Sequence, residues 1–249
     1  SMKLSIKSLL SLMLTITLTS ANVHLYSQAK SGAITFESVS KEFTKAGYSV
    51  AAVSKLEKPF KEKFNDTRYD KYKVIAIYNR EISEQLIQEN PDAGVFVPFS
   101  LSLHSKKKND NVNIAFLDTK VMQKVTGMKS DSLFVALQEK TIATVETLGF
   151  DTQKLASFSY NEKEPTGKLL FKKEMKIKSS SKDVTEKLVQ SFVDHKFKVV
   201  NTLDLTEEFE SVKENYTHYT VLSICKKKVL NLASKTRNEA AIFAPCSMI

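Results

Sequence analysis

Cys225 and Cys246 are the only thiols in the 249-residue chain. They are its best equipped residues for covalent chemistry. In an exported protein such a pair invites a disulfide, and the chain-entropy estimate for a loop of this length is about 3 kcal/mol of stabilisation. Reactive thiol chemistry is the competing use. Cys225 precedes a predicted helix start and the run Lys226-Lys227-Lys228, and both a helix N-terminus and nearby cations favour thiolate. A thiol-redox or persulfide-carrying role would follow. Two small core residues are the simpler alternative, because free cysteine is often buried.

No other constellation accompanies the thiols. Two sulfurs need further ligands to hold a metal. His218 lies upstream of Cys225 on the same predicted strand, roughly 23 Å away at the rise of an extended chain. His24, His104 and His195 fall on separate elements and read as ordinary surface histidines. No Ser-His-Asp arrangement, phosphate-binding glycine loop or HExxH motif is present. The sequence thus points to no catalytic residue, no metal site and no identifiable cofactor, and leans away from an enzyme.

The elements that must position the cysteines come in two sets. Tyr72–Ile77 and Tyr219–Ile224 read as strands, and Cys225 ends the second. A helix follows each, with apolar positions Ile82, Leu86 and Ile87 in one set and Val229, Leu230 and Ala233 in the other. Then comes an apolar run around a proline, VFVPFS at Pro98 and IFAPCS at Pro245. Tyr72 aligns with Tyr219 and Pro98 with Pro245 without a gap, and Phe60 matches Phe209 upstream. Matches this long are two copies of one domain rather than short solenoid units. If the strands holding Cys225 and Cys246 are parallel neighbours, both sulfurs approach one end of the sheet. Their Cα atoms then fall within about 7 Å, close enough to bond. The first copy carries Tyr78 and Phe99 at these positions, so an aromatic contact is expected there.

The earlier part of each copy is also shared. A strand is expected at Val23–Ser27 and again at Leu170–Ile177. The next helix shows Phe36, Val39, Phe43 and Ala46 in the first copy, ending at Gly47, and Val184, Leu188 and Phe192 in the second, opening at Ser180 or Ser181. Strands Tyr48–Val53 and Phe197–Leu203 come after. In the first copy Phe99, Leu101 and Leu103 alternate with Ser100, Ser102 and His104, and Asn113–Leu117 returns to complete a hairpin. The second copy reaches Ile249 before any turn and reads as C-terminally incomplete. Between the copies, Phe134, Leu137, Thr141, Val145 and Leu148 form a helical stripe, and residues 161–167, with Pro165 and Gly167, read as a linker.

At the N-terminus Lys3 and Lys7 flank and enter the apolar run Ile6–Leu18, and Thr19-Ser20-Ala21 supplies the small residues of a cleavage site. Residues 1–21 read as a secretory signal, with cleavage after Ala21, or alternatively after Ala29. Removing them lowers the formal charge from +9 by two lysines, to +7. Export argues against a nucleic-acid partner. The lysines fall in separate places, Lys106–Lys108 in a turn and Lys226–Lys228 at a helix start, which reads as a solvated basic surface. No stable membrane span remains after signal removal.

The order strand, Cys-Asn-Pro, helix, apolar run, Leu-Pro-Cys, strand resembles the family called domain of unknown function 302. Here the first motif reads Tyr78-Asn79-Arg80 and Cys225-Lys226-Lys227, and the second Val97-Pro98-Phe99 and Ala244-Pro245-Cys246. Cys225 and Cys246 occupy the family's two cysteine positions, and the first copy has neither. The resemblance implies an α+β fold: two tandem copies of a small sandwich-type domain, residues 22–117 and 168–249, joined by a helical linker at 118–167. The candidate binding or redox residues are Cys225, Cys246, Tyr78, Asn79, Pro98 and Pro245. The expected function is a periplasmic or secreted, non-enzymatic binding module. A small ligand or partner protein would sit in the cleft between the copies. A thiol-redox or sulfur-handling protein is the alternative, and a homo-oligomer is open.

Overall fold

A computed structural model describes residues 23–156 and 169–249. The expected signal segment and the linker at 161–167 lie outside the described residues. The first half has strands β1 (Val23–Ala29), β2 (Tyr48–Lys55), β3 (Tyr69–Asn79), β4 (Phe99–Lys106), β5 (Asn111–Leu117) and β6 (Thr152–Ala156). They form one antiparallel sheet in the order β2-β3-β4-β5-β1-β6. Helices α1 (Phe36–Lys45), α2 (Glu57–Phe64), α3 (Arg80–Glu89), α4 (Thr119–Thr126) and α5 (Ser132–Thr147) are interspersed. The second half has α6 (Ser181–Asp194), β7 (Lys198–Asp204), α7 (Leu205–Glu208), α8 (Glu210–Asn215), β8 (Thr220–Cys225), α9 (Lys227–Thr236) and β9 (Cys246–Met248). Its antiparallel sheet runs β7-β8-β9. The fold is α+β.

The main core lies between the six-stranded sheet and its helices. Ile75 and Ile77 of β3 and Leu101 and Leu103 of β4 face Val39 and Phe43 of α1, Ile82 and Leu86 of α3, and Phe134, Leu137 and Val145 of α5. Thr35 caps α1 with a capping box. Gly47 takes φ 86°, the left-handed conformation that glycine adopts without a steric cost. Helices α4 and α5, read in sequence as part of a connecting stretch, pack on this core through Val121, Met122 and Phe134.

The two halves share a register. Ile77 pairs with Phe99 as Ile224 pairs with Cys246, and Ser49 pairs with Tyr78 as Lys198 pairs with Cys225. A bulge follows Val50 in one sheet and Val199 in the other. The Val97–Pro98 and Ala244–Pro245 peptide bonds are both cis. Between the halves, two apolar clusters form by exchange of equivalent residues. Leu56, Phe60, Tyr72 and Val74 pack on Ala240, Ala241 and Ala244. Their counterparts Leu205, Phe209, Tyr219 and Val221 pack on Val97 of the first half. Reciprocal use of one patch is what a two-fold relation produces, here within one chain.

Several sequence expectations change. Residues 171–177 form no strand and are exposed. In the first half β1 is held between β5 and β6, and the described second half contains no counterpart of either. For the same reason Val184, Leu188 and Phe192 of α6 are only partly buried. Helix α9 buries Leu230, Asn231 and Ser234 and leaves Val229 and Ala233 outside. His24 and His104 are not surface residues. His24 is buried, bonded to Asp118 at 2.9 Å and stacked on Phe116. His104 lies on the β4 face that the second half covers.

Candidate functional site

Two short 3-10 helices, Pro91–Phe96 and Ala240–Phe243, each lead through a proline into a strand, β4 and β9. The fold places them side by side. The Ser100 hydroxyl donates to the Ala244 carbonyl, and Tyr219 covers Gly94 and donates to the Pro91 carbonyl. Between them opens a cavity of about 230 Å³, with Phe96, Pro98, Ile242, Phe243, Pro245 and Cys246 in its wall. Met122 and Val125 of α4 complete one side, and the polar groups are Ser100 and Ser247. Among the described residues no charged side chain lines it. The pocket is larger than the cavities of about 150 Å³ that accept benzene, and its chemistry suits a small, largely apolar group.

Of the six residues singled out in the sequence, the fold brings Pro98, Pro245 and Cys246 together in this cavity. Tyr78 and Asn79 lie elsewhere. Asn79 is buried and caps α3, its side-chain oxygen accepting from the Ile82 amide at 3.0 Å. The Tyr78 hydroxyl donates to Glu208 at 2.7 Å, and its ring meets Phe209. Burial, then the Glu208 bond, push Tyr78 up to about 12.

Both thiols are free. β8 and β9 are antiparallel rather than parallel, and Cys246 stands opposite Ile224. Neighbouring residues on a strand point to opposite faces, so Cys225 faces away from Cys246. The first half repeats this. Phe99 stands opposite Ile77 and contacts Tyr48 in the main core, while Tyr78 belongs to the cluster between the halves. The expected Tyr78–Phe99 contact is therefore absent. Nor do the lysines make Cys225 a thiolate. Burial, helped by Cys246, raises its thiol above the ordinary value and outweighs the lowering by Lys227 and Lys198.

Sequence reasoning missed Phe243, Met122 and Val125. The near-repetition of VFVPFS and IFAPCS carried a signal for Phe243, but α4 reaches the pocket only through packing that no local pattern encodes.

The family model described as "Domain of unknown function DUF302" matches residues 23–148 and again 173–249. The chain belongs to the DUF302 family. Among solved structures, a similar one is the "Crystal structure of uncharacterized conserved protein DUF302 from Bacillus stearothermophilus", 16% identical, aligned over 49% of this chain and 95% of that chain with a TM-score of 0.43. No curated protein matches the chain. The first DUF302 match takes in α4 and α5, the helices that supply Met122 and pack on the main core. Among the described residues no helix is long and apolar enough to cross a membrane.

Proposed function

We propose that this DUF302 protein is an exported, non-enzymatic binding module whose ligand is a small, largely apolar group held in the cleft between the halves. The observation that carries this reading is the cavity that the Pro98 and Pro245 turns line jointly. The N-terminal order of lysines, apolar run and small residues supports export to the periplasm or beyond. A thiol-redox or sulfur-handling role for Cys225 and Cys246, which are free and line different cavities, is the alternative reading.

Cys246 makes the reading testable, because it is exposed and lies in the cavity wall. A neutral apolar reporter dye, N-phenyl-1-naphthylamine, should bind with a fluorescence rise and slow alkylation of Cys246 several-fold. Val125→Phe should fill the space and reduce both effects at least fivefold. Dye binding that leaves the Cys246 rate unchanged, or that Val125→Phe does not alter, would sink the cleft as the site.

A further inference from the structure

The lysines that look scattered in sequence are gathered by the fold. Lys226, Lys227 and Lys228 open α9, Lys198 opens β7 opposite Cys225, Lys196 sits in the preceding turn, and Lys63 comes from α2 of the first half. With the rings of Phe64 and Phe197 they line a cavity of about 570 Å³. Lys226 Nζ lies 4.9 Å from the Phe197 ring centre. Among the described residues none of the six forms an ion pair. Burial first, and then Lys198 and Lys63, hold Lys227 below the ordinary lysine value. Like charges are crowded there, with no ion-paired carboxylate among the described residues.

The first half shows what this place can hold. Ser49 pairs with Tyr78 as Lys198 pairs with Cys225, and Arg80 stands where the second half has Lys227. There the position is filled by a carboxylate from the other half. Glu208 accepts from the Tyr78 hydroxyl at 2.7 Å and from Arg80 Nη1 at 2.6 Å, and its backbone carbonyl accepts from Arg80 Nη2 at 3.1 Å. Carrying the alignment of Phe60 with Phe209 back one residue, Glu208 corresponds to Pro59. Proline supplies no carboxylate, so the second-half position keeps a cation, Lys227 in place of Arg80, gains Lys198 in place of Ser49, and among the described residues lacks the matching anion.

We propose that the pocket around Lys63, Lys198 and Lys227 binds a soluble, multiply charged oxyanion of the phosphate or sulfate class in the place that Glu208 fills in the first half. Several ammonium groups converging on one concavity attract such a group strongly at low ionic strength. The apolar walls at Phe64 and Phe197 leave room for a body attached to it. This site is independent of the cleft between the prolines.

Isothermal titration of the protein with pyrophosphate in low-salt buffer near neutral pH tests it. The expected result is saturable one-site binding that the Lys198→Gln/Lys227→Gln pair weakens at least tenfold. The Lys106→Gln/Lys107→Gln pair, which removes the same charge elsewhere, should leave affinity within about twofold. Pro59→Glu should also weaken pyrophosphate at least tenfold, by supplying the missing carboxylate. If that variant does not fold by circular dichroism, the paired lysine variants decide. Absence of binding at millimolar pyrophosphate would overturn the proposal, as would equal losses from the two lysine pairs. Attachment to anionic lipid vesicles without pyrophosphate binding would also overturn it.

Discussion

His104 shows how burial resets a single side chain. It is 3% exposed, its Nδ1 lies 3.1 Å from the Ser102 hydroxyl, and Tyr69 and Tyr72 flank the ring. Burial drives its pKa down to about 4, with Glu239 opposing and Lys106 adding to the shift. The unfolded chain, near the ordinary value of about 6.5, then binds a proton that the folded chain refuses. Stability is full above about pH 6.5 and falls as the pH drops toward 4. We predict that urea unfolding at pH 7, 5.5 and 4.5 shows this loss and that His104→Gln flattens it. Parallel pH dependences in wild type and variant would refute the assignment. Asp66 runs the other way. Its carboxylate accepts from Arg68 Nε at 2.9 Å, Arg68 Nη2 at 2.7 Å and Asn231 at 2.7 Å. These bonds, the Arg68 side chain foremost, hold it down to about 2. Its contribution is present above the ordinary carboxylate value and is lost as the pH falls toward 2. Arg68 is a third exposed, so solvent screens part of the pair. Asp66→Asn should cost about 1–3 kcal/mol, read as a lower urea midpoint at pH 7. An unchanged midpoint would show that the network contributes nothing to stability.

At the scale of elements, Tyr219 packs closely on the Pro91–Phe96 helix of the other half. A Cβ built at Gly94 would lie 2.1 Å from the Tyr219 hydroxyl oxygen and 2.8 Å from ring carbons. Glycine is required here by proximity, not by a left-handed backbone. The counterpart under Tyr72 is Ala241, so the two contacts are alike in place and unequal in room. Gly94→Ala should destabilise by about 1–3 kcal/mol, the usual cost of overpacking. Combining it with Tyr219→Leu, which shortens the side chain, should recover part of that loss, giving a coupling of about 1 kcal/mol or more in a double-mutant cycle. Strict additivity would mean that the ring moves aside without cost. The same comparison of halves frames the lysine pocket, where Glu208 neutralises one copy of the position and Pro59 leaves the other open.

For the whole molecule, the reciprocal clusters imply that neither half is self-sufficient. Without its partner the first half would expose Phe60, Tyr69, Tyr72 and Val74, which are all buried in the full chain. Apolar patches of this kind drive association. Its own Ala93, Gly94 and Val97 stand where the second half presents Ala240, Ala241 and Ala244. Residues 23–156 produced alone should therefore pair with a second copy, replacing the internal two-fold with a true one. Size-exclusion chromatography with light scattering would show a dimer. A monomer as stable as the full chain would contradict this. The second half depends on the contact even more, because its three-stranded sheet leaves α6 half covered and Phe171 95% exposed.

Local patterns determined a good deal by themselves. The alignment of Tyr72 with Tyr219 and Pro98 with Pro245 anticipated the shared register, since identical spacing between strand, helix and proline makes the two copies pair their strands alike. The stripe Phe134, Leu137, Thr141 and Val145 is buried as its period requires, and Ser180 caps α6 as a serine before a helix should. What the pattern could not contain is the second face of each sheet. Ser100, Ser102 and His104 alternate with apolar residues and form a polar strand face, yet the second half covers it. Strand direction was open as well, because side-chain alternation is the same in parallel and antiparallel sheets. The antiparallel pairing of β8 with β9 is what turns Cys225 away from Cys246. The cleft at the prolines and the pocket of lysines both join residues far apart in the chain, so only the docking of the two halves could create them.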